Sequence, residues 1–91
     1  MKAIEIKKKE LKKIKFPSKD VLDSPKKRRF RSLKLRSAMQ DKSPNNRYQL
    51  IVKSKERGLF AITSRILVAE NNYTILHGGH VIPTKSIIKI K

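Results

Sequence analysis

A chain of 91 residues has room for one small domain, and 24 Lys and Arg against 7 Asp and Glu give it a formal charge of +17. An excess of this size resists compaction by self-repulsion and calls for a polyanion, with nucleic acid ahead of anionic lipid or an acidic protein. Cysteine is absent, which excludes a disulfide framework and a thiolate zinc site. No stretch approaches the roughly 20 apolar residues of a membrane span, and Lys7-Lys8-Lys9 follows Met1–Ile6 before any signal-peptide core can form, so a cytoplasmic protein without integral membrane association is expected.

Charge is unevenly spread along the chain. Residues 1–47 hold 17 Lys and Arg against 5 acids, a net of +12, whereas residues 48–91 hold 7 against 2, a net of +5. Residues 1–23 read as a flexible basic arm. Within Lys2–Lys15, Ile4, Leu11 and Ile14 fit one helical stripe and Ile4-Glu5-Ile6 also fits a short extended piece, but lysines this dense repel one another, so disorder or a frayed helix is expected. Residues 24–46 read as a basic amphipathic helix and a loop. Ser24 is placed as N-cap and Pro25 as the first helical residue, with the helix running to Gln40 and presenting Phe30, Leu33, Leu35, Ala38 and Met39. Asp41–Asn46 is a loop by composition.

Residues 47–91 read as strands. Tyr48–Ser54 is rich in β-formers and Lys55–Gly58 closes it as a turn. Leu59–Glu70 is apolar on both sides, which predicts a long strand bent to serve two sheets. Tyr73–His77, His80–Ile82 and Ile87–Lys91 follow, separated by Gly78-Gly79 and Pro83–Ser86. The fold class expected is α+β: a basic arm and one short helix, then a small five-stranded antiparallel β-barrel.

Gly79–Ile90, Gly-His-Val-Ile-Pro-Thr-Lys-Ser-Ile-Ile-Lys-Ile, resembles the closing strands of Sm-like and related SH3-like barrels, and Asn71–Leu76 sits where those folds place a polar turn before the middle strand. The series Thr63, Ala69, Leu76, Gly79, Ile82-Pro83 and Ile87 also resembles a group of short uncharacterised basic proteins of Bacteroidota. The resemblance covers roughly residues 26–91 and implies the barrel. It does not carry over the Sm mode of base reading, because Glu70 and Asn71 or Asn72 are displaced from the expected Asp and Asn and no Arg-Gly follows.

The strongest functional signal is Lys26-Lys27-Arg28-Arg29-Phe30-Arg31, continued by Lys34 and Arg36. Such side chains neutralise phosphates, and Arg adds bidentate geometry; the bland alternative is a solvated helix face. Lys7, Lys8, Lys9, Lys12 and Lys13 suit the same role along a backbone, with Arg57, Arg65 and Lys85 extending the track. Tyr48 and Tyr73 are candidates for base stacking, whereas Phe60 is assigned to the core. Ser24-Pro25-Lys26-Lys27 resembles a minor-groove unit of chromatin tails, although helix capping explains Ser24-Pro25 as well, and the match of Pro25–Arg29 to a nuclear import signal is one that any basic arm produces. His77 and His80 flank Gly78-Gly79 without further ligands, and the acids are too scattered for a catalytic pair, so no metal, cofactor or catalytic residue is assigned. The function expected is non-enzymatic binding of RNA or DNA, with RNA preferred. The alternative is an adaptor docking Phe30, Leu33 and Met39 on a larger acidic protein or ribonucleoprotein assembly.

Overall fold

A computed structural model describes residues 3–43 and 46–91. Lys2, Pro44 and Asn45, which belong to the arm and loop readings above, lie outside the described residues. Among the described residues the fold is α+β, with one α-helix and seven strands arranged in two sheets.

Strand β2 (Tyr48–Lys53) pairs antiparallel with β3 (Leu59–Ser64) from Tyr48 opposite Ser64 to Lys53 opposite Leu59. Gly58 closes the connection at φ +82°, a conformation that costs glycine little and an L-residue about 1 kcal/mol. Strand β4 (Ile66–Ala69) begins one residue after β3 but belongs to the second sheet, where it pairs with β5 (Tyr73–Leu76), and β5 pairs with β6 (Val81–Pro83). A 3-10 turn, Thr84–Ser86, leads into β7 (Ile87–Ile90), which returns to β2. The β2/β7 ladder shifts register so that Ile51 faces Lys89 and Val52 faces Ile87, leaving Ile88 as the extra residue of a bulge.

The long run Leu59–Glu70 thus divides between two sheets, as its two-sided apolar pattern predicts. The expected closed five-stranded barrel is corrected: among the described residues no ladder joins the two sheets into a barrel, and residues 47–91 contribute six strands rather than five. The physical reason lies at the breaks. Arg65 leaves the ladder, and its carbonyl accepts instead from the His77 N–H (3.0 Å) and the Ser64 hydroxyl (2.9 Å). The 3-10 turn separates β6 from β7 and is fixed by a buried Thr74–Thr84 hydroxyl contact of 2.8 Å and a Thr84 bond to the Glu70 carbonyl of 2.7 Å.

Between the sheets Leu50, Val52, Ile62, Leu76, Ile82 and Ile87 are fully excluded from solvent. The segment read as an arm contributes to the same core. Strand β1 (Ile4–Glu5) adds a parallel edge to β3, a 3-10 helix spans Lys8–Lys13, and the buried Leu11 joins the cluster with Ile6, Ile14 and Phe16 packed around it. Burying such apolar side chains stabilises by about 1.5–3 kcal/mol each, which offsets the repulsion among neighbouring lysines.

Helix α1 (Pro25–Gln40) has the boundaries read from the sequence, with Pro25 opening it. Ser24 stands at the N-cap with extended geometry, but its side chain makes no capping bond; its carbonyl accepts from the Arg28 N–H at 3.0 Å. The helix packs on β4 and β7. Its buried stripe is Arg31, Leu35 and Ala38, spaced i, i+4, i+7, so Phe30 and Leu33 fall off the stripe and face outward.

Candidate nucleic-acid interface

Helix α1 carries seven Lys and Arg and no acid in 16 residues. Placing Lys26, Lys27, Arg28 and Arg29 in the first turns is electrostatically unfavourable, because the helix dipole is positive there. Free backbone N–H groups and these side chains together make a concentrated positive field, suited to an anion.

The structure divides the basic residues of α1 into two groups. Arg31 is buried, and its guanidinium donates to both Asp20 carboxylate oxygens, at 2.8 and 2.6 Å, and to the Ile87 carbonyl at 3.0 Å. Arg28 donates to the Leu22 carbonyl at 2.7 Å and lies 3.6 Å from Asp20. These are the ion pairs among the described residues, and both use Asp20. The Arg31 hydrogen bond holds the Asp20 carboxyl below its usual range; burial opposes this, and the Leu22 N–H bond with the charges of Arg31 and Arg28 reinforces it. Arg31 therefore holds the helix to the sheet and is withdrawn from the predicted phosphate contacts.

Lys26, Lys27, Arg29, Lys34 and Arg36 are exposed, and Arg28 is exposed as well despite its contacts with Leu22 and Asp20. Lys34 donates to the Ile90 carbonyl at 3.2 Å, so Arg31 and Lys34 together occupy two carbonyls on β7. Phe30 and Leu33 stand among these cations, 62% and 56% exposed. Between α1 and β7 lies a groove of about 460 Å³ lined by the apolar Leu22, Phe30, Ile88 and Ile90 and by Arg31, with Lys26, Lys27, Lys34 and Lys89 around it.

The remaining predicted residues are not gathered at this groove. Lys7, Lys9, Lys12 and Lys13 are exposed on and beside the first 3-10 helix, and the half-buried Lys8 donates to the His77 carbonyl at 2.9 Å. Lys13 shares a smaller cleft with Lys15 and the exposed Arg57 of the β2–β3 turn. Arg65 is half-buried at the bend between β3 and β4. Lys85 is exposed on the 3-10 turn, where its carbonyl accepts the Val21 N–H at 2.9 Å, beside the strap that leads into α1.

Tyr48 and Tyr73 differ in availability. Tyr48 is half-buried against the core, and its hydroxyl donates to Asp41 at 2.7 Å; that bond raises the phenol pKa and lowers that of Asp41. Tyr73 is 45% exposed at the start of β5. Phe30 is the more open aromatic and lies inside the cationic cluster, which makes it the stacking candidate that the sequence reading assigned instead to protein docking. The signal that could identify it is the surrounding Lys and Arg at positions i−4 to i−1, i+1 and i+4.

Among the described residues no three His, Asp or Glu side chains converge as a metal site requires, and no helix is long and apolar enough to cross a membrane. Comparison with protein-family profiles, curated proteins and solved structures finds no match.

Proposed function

We propose that the protein is a non-enzymatic nucleic-acid-binding protein whose main contact surface is the exposed face of α1, with RNA preferred to DNA. The observation that carries this reading is a helix with six exposed cations, no acid, and two exposed apolar side chains among them. Phe30 and Leu33 add apolar contact area among these cations. Contacts to phosphate provide affinity without sequence preference, and each one releases counterions from the polyanion. Lys13, Lys15 and Arg57 form a secondary cationic region around the smaller cleft, which Glu56 also lines.

We also read residues 48–91 as an SH3-like module that presents this helix. Support comes from the path: β7, β2 and β3 in one sheet, a bend into β4, β5 and β6, and a 3-10 turn before the last strand. The cytoplasm is the compartment this reading assigns.

The test is a titration with single-stranded RNA and duplex DNA of the intact protein and of the triple variant Lys26→Gln, Lys27→Gln, Arg29→Gln. These three side chains make no hydrogen bond or ion pair among the described residues, so thermal stability is expected to change by no more than about 0.5 kcal/mol while affinity for both nucleic acids falls. Equal affinity in the variant and the intact protein would remove α1 as the contact surface.

A further inference from the structure

We propose that the groove between α1 and β7 receives an unpaired base of a single strand, stacked on Phe30, so that the protein discriminates single-stranded from duplex nucleic acid. This rests on the nucleic-acid reading above and deepens it. Phe30 stands 62% exposed at the lip of a groove whose lining is predominantly apolar. Lys26 and Lys34 lie one turn to either side of Phe30 on the same flank of the helix, and Lys89 faces them from β7. A flat apolar surface ringed by cations is what a nucleotide requires: a π-face for the base and positive charge for its flanking phosphates. A base held within a duplex cannot reach such a groove without unstacking.

The same geometry disfavours a peptide as occupant. A peptide adding to the edge of β7 needs the carbonyls of that strand, yet Arg31 occupies that of Ile87 at 3.0 Å and Lys34 that of Ile90 at 3.2 Å. A docked helix needs a longer trough, because Lys26 to Lys34 spans only about 12 Å of helix. Apolar walls offer few partners for base edges, so the groove accepts bases with little preference among them.

Tryptophan is absent from the chain, so the Phe30→Trp variant carries a single indole reporter at the proposed stacking position. It is titrated with an oligouridylate of about ten nucleotides, with an RNA duplex of equal length and with an acidic peptide containing leucines. In parallel, the affinity of Phe30→Ala for the two RNAs is measured; circular dichroism checks that it folds, as expected for an exposed side chain. Quenching of the indole by the single strand and not by the duplex is expected, together with a loss of about 10-fold in single-strand affinity for Phe30→Ala and no change for the duplex. Single-strand binding without quenching, and unchanged in Phe30→Ala, would overturn the groove proposal and leave the phosphate-contact reading in place. Binding of neither RNA would overturn both, and quenching by the acidic peptide in that case would assign the groove to protein.

Discussion

Replacing Arg31 separates the two roles open to a basic residue in the most basic stretch of the chain. In the structure it makes three hydrogen bonds, two to Asp20 and one to the Ile87 carbonyl, and is 7% exposed. Arg31→Met keeps the apolar stem but leaves a mostly buried carboxylate and a strand carbonyl unpaired. Removing one partner of a buried pair costs about 3–5 kcal/mol. Two features moderate the loss. Asp20 remains beside Arg28, and the Arg31 Nε is buried without a partner among the described residues, so the native guanidinium is not fully satisfied. About 3 kcal/mol is then expected, out of a total of roughly 5–14 kcal/mol for a chain of this length. That corresponds to a fall in melting temperature of roughly 12–24 °C. Urea denaturation of the intact protein and of Arg31→Met measures the difference directly. RNA affinity, measured at low temperature where the variant is folded, is expected to stay near that of the intact protein, because the guanidinium is committed to Asp20 and the Ile87 carbonyl although Arg31 borders the groove. A variant as stable as the intact protein but weaker for RNA would refute this assignment.

Two further outcomes follow from the same structure. Asp20 has a folded-state pKa below its unfolded value, so its contribution is fully present above about pH 4 and is lost as pH falls through the lower folded value. Acid denaturation of Asp20→Asn should therefore show a flatter loss of stability below about pH 4 than the intact protein, from a lower starting point; parallel curves would contradict the linkage. Leu11→Ala should cost about 3 kcal/mol in denaturant unfolding, because Leu11 is 7% exposed within the core, whereas an arm that contributes nothing to the fold predicts no change.

Much of the fold was legible because its signals are local. Pro25 after Ser24 marked the helix start, Gly58 and Gly78-Gly79 adopt the positive φ that their turns require, and the two-sided apolar pattern of Leu59–Glu70 announced a strand shared by two sheets. What was not legible depends on distant partners. Arg31 looked like its neighbours because Asp20 is 11 positions away and the Ile87 carbonyl 56 away. The core role of Leu11 and the pairing of Ile4–Glu5 with β3 depend on contacts far along the chain, which the lysines around them disguise. Phe30 belongs to the apolar series read along the helix, but the buried stripe is Arg31, Leu35 and Ala38, which leaves Phe30 exposed. Closure of the barrel was read from strand count, but the break at Arg65 and the 3-10 turn leave two sheets.

The most direct test of the central claim is the salt dependence of single-stranded RNA binding by the intact protein and by the triple variant of Lys26, Lys27 and Arg29. Each phosphate contact to a single strand contributes about 0.7 to the slope of log affinity against log salt. Loss of the three contacts should lower the magnitude of the slope by about 2 and weaken binding at low salt. Equal slopes for the two proteins, or affinity insensitive to salt, would contradict the account.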